Sequence, residues 1–304
     1  TDFGPTSGNG HLSRSLILRN IFEENYKVEI ITEKKFPYIS NFSKYHNCNI
    51  SKFLKNNKRF YDFGIIDSYK INYYTEIKIK KICKKLISID DYQKKIFISD
   101  FVINYSPYKN LNKFYNTKSK KTKFLLGDKY NFIRTFSGPL QKKHNPNFIN
   151  LFIYLGKNQK RIKIIKKTLL KVKNKNFFKN IFVVGLKKFI SNLKNIKFFQ
   201  MLSKKKFSEL MEKSDILILS AGISLHEGIF LNKKIFSLPV AKNQKMNYDY
   251  FIKKKKIKNL KSFSKFINYP KQKILKELKQ KKQIKKKNIK KNYGLINIKN
   301  IIKI

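Results

Sequence analysis

Acidic residues are scarce in this chain: 18 Asp and Glu stand against 70 Lys and Arg in 304 residues, for a formal net charge of +52. Such an imbalance attracts anions and would ordinarily suggest a polyanion partner. Arginine is scarce too, at five residues (Arg14, Arg19, Arg59, Arg134 and Arg161). That shortage argues against a dedicated nucleic-acid binder, because base readout and minor-groove insertion favour the planar guanidinium. Lysine is instead spread over nearly every predicted helix among abundant Ile, Asn, Phe and Tyr, a pattern of AT-rich coding drift, so no specific nucleic-acid partner is expected. Cys48 and Cys83 are the two cysteines. They lie in neither a metal-binding nor a redox spacing and point to a reducing compartment. The four histidines show no HxxxH-type spacing, so no metal or cofactor is expected. No apolar run approaches the ~18 residues of a membrane span, and the opening residues do not read as a signal peptide. A monomeric cytoplasmic protein is expected.

What is present is a regular alternation of short apolar runs and amphipathic stretches. In the first half Lys27 to Thr32, Phe63 to Asp67, Leu86 to Ile89, Asp100 to Asn104 and Phe124 to Leu126 read as strands of a parallel sheet buried on both faces. An α/β domain normally places a strand ahead of a loop such as Asp2-Phe3-Gly4-Pro5, so the first strand is expected to be missing or truncated. A polar stretch from Gly138 to Pro146 reads as a linker, which gives two domains, 1–145 and 146–304. The second half repeats the pattern. Strands are predicted at Asn150 to Tyr154, Asn180 to Val184, Ile196 to Phe199, Asp215 to Leu219 and from Phe236, with helices that turn Ile162, Ile165, Leu169 and Val172, then Phe207, Leu210 and Met211, inward. Beyond Phe251 the chain is lysine-dense and predicts helices with solvated lysine faces, with disorder in Lys281 to Lys291 as the alternative.

The chemistry-bearing residues fall where strands end and helices begin. Gly8-Asn9-Gly10-His11 precedes apolar positions Leu12, Leu16, Ile17 and Ile21 at helical spacing, so His11 sits in a first turn whose backbone N–H groups lack partners. Gly8 and Gly10 would let a ligand approach closely. Asp67-Ser68-Tyr69 and Asp90-Asp91 end consecutive strands and are expected on the same rim as His11. In the second half Ser220-Ala221-Gly222 turns off a strand and places Glu227 in the next helix, with His226 read as a structural neighbour. A carboxylate there can take both hydroxyls of a ribose while the helix start faces a diphosphate. The bland reading is an ordinary β–α turn with a solvated glutamate. Asn243 and Gln244 could bond sugar or phosphate, or cap a helix.

Taken together, Gly8-Asn9-Gly10-His11 with Arg14, Asp67-Ser68-Tyr69, Asp90-Asp91, Ser220-Ala221-Gly222 with Glu227, Asn243-Gln244 and the closing Tyr293-Gly294-Leu295 resemble the UDP-diacetamido-trideoxy-altropyranose hydrolases of pseudaminic acid biosynthesis. The resemblance runs over almost the full chain. It departs from the family at Leu155-Gly156-Lys157-Asn158, where a Gly-Gly-x-Asp turn is expected. It implies an α/β fold of two Rossmann-like domains in a glycosyltransferase-B type arrangement, with a UDP-sugar as substrate. By the same resemblance His11 would activate water and Tyr69 would share the active site. Gly10, Arg14, Asp67, Ser220, Gly222, Glu227, Asn243 and Gln244 would bind substrate, in the service of surface-glycan synthesis such as flagellin glycosylation. Two other readings stay open: a UDP-sugar-dependent glycosyltransferase of the same fold, and a non-catalytic lysine-rich polyanion binder.

Overall fold

Ile, Val, Leu and Phe concentrated in runs of four to seven residues build parallel strands here, and helices cover them wherever a polar cap lets one start. The computed structural model describes residues 1–2, 10–33, 45–91, 96–107, 113, 115, 121–133, 149–156, 159–171, 178–185, 194–200, 202–241, 244–261, 263–279 and 293–303. The chain folds as two compact units, 1–132 with 293–304, and 133–292. The expected linker at 138–146, Val172 and the stretch 281–291 lie outside the described residues.

The first unit contains α1 (Gly10–Phe22), β1 (Ile30–Thr32), β2 (Tyr45–Asn47), α2 (Ile50–Asn56), β3 (Tyr61–Ile66), α3 (Tyr73–Lys81), β4 (Cys83–Ile89), β5 (Phe101–Asn104) and β6 (Lys123–Leu126). Asn49 and Asn72 cap α2 and α3, their side chains accepting from the backbone N–H of Lys52 and Thr75. The strands form two parallel sheets, one ordered β3-β4-β5-β6 and one made of β1 and β2. The predicted strand at Lys27 to Thr32 thus exists in shortened form and pairs with β2, a short strand of Tyr, His and Asn that no apolar run announces.

The second unit contains β7 (Ile149–Tyr154), α4 (Gln159–Lys171), β8 (Phe178–Val184), β9 (Ile196–Phe199), α5 (Lys204–Lys213), β10 (Ile216–Ser220), α6 (Ile223–Phe230), β11 (Lys234–Leu238), α7 (Lys245–Lys253), β12 (Lys258–Asn259), α8 (Phe263–Ile267) and α9 (Lys271–Lys279). Its parallel sheet has the order β12-β11-β10-β7-β8-β9, which is the doubly wound Rossmann order read from the other edge. Alternation along the strands feeds two cores. Leu151, Ile153, Ile181, Val183, Ile216 and Ile218 face one side with Ile165 and Leu169 of α4. Phe152, Phe182, Leu217 and Leu219 face the other with Phe207, Leu210 and Met211 of α5, so Ile165 and Leu169 of α4 and the three inward positions predicted for α5 are buried. α6 packs closely on this second face, since a Cβ on Gly228 would stand 2.9 Å from Ile235 Cδ1 and 3.0 Å from Leu217 Cδ1.

The sequence reading placed the final helix, α10 (Tyr293–Ile302), with the second domain. It belongs instead to the first unit, where Lys85 donates to Ile302 O and Asn297 to Lys129 O. The physical reason is Gly294. A Cβ there would stand 2.3 Å from the Asn131 carbonyl oxygen, so only glycine lets α10 lie against the turn at Asp128–Tyr130. Gly294→Ala is therefore expected to destabilise the protein by ~1–3 kcal/mol through overpacking against backbone. Gly10→Ala, whose Cβ meets nothing within 4 Å, should leave the urea midpoint of the same unfolding experiment unchanged.

Candidate active site

In the first unit the carboxyl ends of β3, β4 and β5 carry Asp67, Asp91 and Tyr105, and α1 starts above them with His11 and Arg14 one turn apart. Apolar Leu12, Leu18 and Ile21 fix that helix to the core and turn both side chains onto the rim. Arg14 is 2% exposed. Its Nε and one terminal nitrogen donate to the two Asp67 oxygens at 2.9 and 2.7 Å, and its other terminal nitrogen donates to Asp91 and to Tyr105 OH, both at 2.9 Å. Four of the five guanidinium N–H groups are thus committed to protein partners. Arg14 and Asp67, expected among the substrate-binding residues, hold the rim together.

His11 Nδ1 lies 2.5 Å from Asp67 Oδ1. Burial works against the Asp67 charge, but the Arg14 guanidinium and the bond from His11 outweigh it and hold the carboxyl below its ordinary 3.8. An ionised oxygen at that distance requires a proton on Nδ1, so Nδ1–H donates and the neutral ring carries its lone pair on Nε2. The Arg14 nitrogen 3.1 Å from Nδ1 accordingly donates to Asp67, not to the ring. Burial likewise opposes the Arg14 charge, and Asp67 and Asp91 outweigh it, keeping its pKa well above the ordinary value. Tyr105 is pushed up to about 12, chiefly by burial, and stays a neutral donor and acceptor.

Tyr69 closes the outward side. Its ring meets the His11 ring edge-on at a centroid distance of 4.4 Å, its hydroxyl donates to Asp91 Oδ2 at 2.7 Å, and it is 38% exposed where His11 is 4%. The tyrosine is thus the most exposed member of the cluster. Asp90 turns the other way: Tyr115 OH donates to it at 2.6 Å and accepts from Asn104 Nδ2 at 2.7 Å. Gly8 and Asn9 lie outside the described residues, whereas Gly10 begins α1. Tyr105 and the Tyr115–Asn104 pair were not singled out from the sequence. Each follows directly on, or packs against, a predicted strand end, and that position was the available signal.

In the second unit β7 and β10 are neighbours at the point where the strand order reverses, paired up to Tyr154 and Leu219. Ligands of open α/β sheets bind outside the carboxyl ends of such strands. Both turns there contain glycine. Gly156 after β7 has φ +66, a left-handed conformation that suits glycine, and Gly222 after β10 caps α6 without any side-chain bond to the helix N–H groups. Those N–H groups are the kind that receive phosphate. Gln244 leans over the turn, its Nε2 3.5 Å from where a Gly222 Cβ would be, while its Oε1 accepts from Val240 N. Ser220 is buried, and Glu227 is 0% exposed within α6 beside the buried His226. Glu227 is therefore not the solvated residue of the bland reading. Asn243 lies outside the described residues. Among the described residues no group of three or more His, Cys, Asp or Glu has metal-site geometry, and no helix is long and apolar enough to cross a membrane.

No protein-family model matches the chain. An uncharacterised protein of Methanocaldococcus jannaschii is 27% identical over 285 residues, which covers 84% of this chain, and the chain spans 57% of that protein's length. Among solved structures, MurG of Acinetobacter baumannii is similar with a TM-score of 0.56 over 98% of this chain and 97% of its own, at 10% identity. A protein described as a UDP-N-acetylglucosamine 2-epimerase of Listeria monocytogenes is similar with a TM-score of 0.54 over 99% and 95%, at 9% identity. These likenesses and the parallel sheets of each unit establish the fold as α/β with two Rossmann-like units, as in glycosyltransferase-B proteins.

The Asp67 bond makes a prediction about acid. A carboxyl whose folded pKa is depressed contributes stability that is complete above its unfolded value of 3.8 and is lost as pH falls through the lower folded value. Asp67→Asn leaves Arg14 short of its main counter-charge and is expected to cost ~3–5 kcal/mol at neutral pH. Urea unfolding over a pH series should show wild type losing stability below about pH 4, with the Asn variant lacking that limb.

Proposed function

We propose that this chain hydrolyses a UDP-linked diacetamido-trideoxy sugar at its anomeric carbon, releasing UDP and the free sugar for nonulosonic acid synthesis. The observation that carries the hydrolytic step is the buried Asp67–His11 pair, whose geometry leaves Nε2 as the basic nitrogen beside the exposed Tyr69. In this reading water attacks the anomeric carbon and His11 Nε2 takes its proton. The bond from that carbon to the diphosphate oxygen breaks with inversion, and UDP leaves with the electron pair. The charge count suits the step. Asp67 and Asp91 stand against the single guanidinium of Arg14, so a proton arriving on the imidazole balances the cluster.

The second unit would hold the nucleotide. The Gly222 and Gly156 turns face a diphosphate with backbone N–H groups, Glu227 takes the ribose hydroxyls, and Gln244 with Asn243 holds the sugar diphosphate. Lysines add attraction for the anionic substrate without a metal. The sugar itself, and the place in surface-glycan synthesis, follow from the sequence resemblance. The full-length likeness to MurG keeps transfer to an acceptor as a second reading.

The test is UDP release from a panel of UDP-sugars by the purified protein, with and without candidate acceptors. Release that needs no acceptor is expected, and release only with an acceptor would select the transferase. His11→Asn should lower turnover by ~10²–10⁴ while UDP affinity stays unchanged, as expected for loss of a general base. Glu227→Gln should weaken both uridine and UDP by ~10–150-fold, the worth of a charge-assisted pair of bonds to ribose, and titration calorimetry measures it. Unchanged affinity for both ligands would remove Glu227 from the nucleotide site.

A further inference from the structure

Asp91 enters the hydrolytic step only as a charge, yet it joins the guanidinium to the exposed tyrosine. One of its oxygens, Oδ2, accepts from an Arg14 terminal nitrogen at 2.9 Å and from the Tyr69 hydroxyl at 2.7 Å. Arg14 never gives up a proton, so Oδ2 is an acceptor, and the hydrogen between it and Tyr69 belongs to the phenol. The chain that presents Asp91 is fixed as well. Asp90, the residue before it, donates its N–H to Ile103 O at 3.0 Å, and its carboxylate accepts from Tyr115 OH at 2.6 Å.

Tyr69 is held at three places. Its backbone N–H donates to Asp2 Oδ2 at 3.0 Å, its ring stands edge-on to His11, and its hydroxyl donates to Asp91. A phenol has one hydrogen to donate, and here Asp91 takes it. Whatever else approaches Tyr69 Oη must therefore bring a hydrogen of its own. Charge narrows the choice further. Asp67 and Asp91 stand against the single guanidinium of Arg14, so this rim disfavours an acceptor-only anion such as a phosphate and suits a neutral group that carries N–H or O–H.

We propose that Asp91 is a positioning residue that fixes Tyr69 as a hydrogen-bond acceptor, and that this acceptor selects an acetamido N–H of the sugar, the second role resting on the reading of the substrate as a UDP-linked diacetamido-trideoxy hexose. The sugar ring of such a substrate, joined to UDP through its anomeric carbon, offers two acetamido N–H groups and one hydroxyl as donors. Its diphosphate offers none. The first unit thus takes the sugar by an N–H group, and the diphosphate is left to backbone N–H groups.

Three UDP-sugars test this: the diacetamido compound, an analogue with acetoxy groups in place of both acetamido groups, which keeps the carbonyls and loses the N–H, and an analogue with the hydroxyl methylated. The readout is kcat/KM for UDP release by wild type, Tyr69→Phe, Asp91→Ala and Asp91→Asn. The acetamido-to-acetoxy ratio should fall about tenfold in Tyr69→Phe, the worth of one hydrogen bond, and any intrinsic difference in reactivity cancels between proteins. Asp91→Ala should lower the ratio as far, and Asp91→Asn, whose amide oxygen can accept both bonds, should restore it. Tyr69 lies at the surface, so Tyr69→Phe decides the matter even where Asp91→Ala fails to fold. A ratio unchanged in Tyr69→Phe overturns the acceptor role, and one unchanged in a folded Asp91→Ala overturns the positioning role. A Tyr69-dependent preference seen only against the methylated sugar makes the hydroxyl the partner and overturns the acetamido assignment. The hydrolytic reading fails separately: no UDP release from any of the three by wild type removes that reading and the acetamido assignment with it.

Discussion

One buried guanidinium organises the first unit. Arg14 reaches from α1 to residues that end three successive strands, Asp67, Asp91 and Tyr105, and no other side-chain type could span them with a planar fork of donors. Taking such a charge out of water is expensive, and it persists only because two carboxylates and a phenol share its donors. Its consequence is orientation. With Asp67 held ionised and fixed by Arg14, the imidazole of His11 has one available tautomer, and Tyr69 is tied by Asp91 to the same guanidinium one bond further out. The same buried cluster thus ties the stability of the rim to the orientation of His11 and Tyr69.

The second unit solves a different problem with backbone. Its doubly wound sheet brings the ends of β7 and β10 together at the reversal of strand order. Glycine at both turns removes the Cβ atoms that would hinder close approach of a ligand to the backbone. Gly228 serves the same end from below by letting α6 sit down on Leu217, Leu219 and Ile235. That helix also carries a buried acidic side chain, Glu227.

Much of this was legible in the residues. The apolar runs at 86–89, 150–154 and 215–219 became interior strands because burial on both faces leaves a continuous hydrophobic signal, and the run at 63–67 became β3 at the end of its sheet. Tyr45–Asn47 and Lys258–Asn259 gave none, being two or three residues long and polar. His11, Asp67, Tyr69 and Asp91 came together as the strand-end argument required. At Arg14 the sequence shows a cation near a candidate anion site, and only geometry shows that four of its five N–H groups bond to protein partners. The final helix was assigned to the wrong neighbour because its partner, the Asn131 backbone, is remote in sequence and is selected by the absence of a side chain at Gly294. The lysines, which dominate composition, position little of the site.

The central claim is that Asp67, itself held by Arg14, sets the His11 ring so that Nε2 is the base. Nitrogen-15 NMR of the His11 imidazole measures this directly through the ring-nitrogen shifts of the neutral form. The account predicts the Nδ1–H tautomer with an unprotonated Nε2 in wild type, and loss of that preference in Asp67→Asn. An Nε2–H tautomer in wild type, or a ring indifferent to Asp67→Asn, would contradict it.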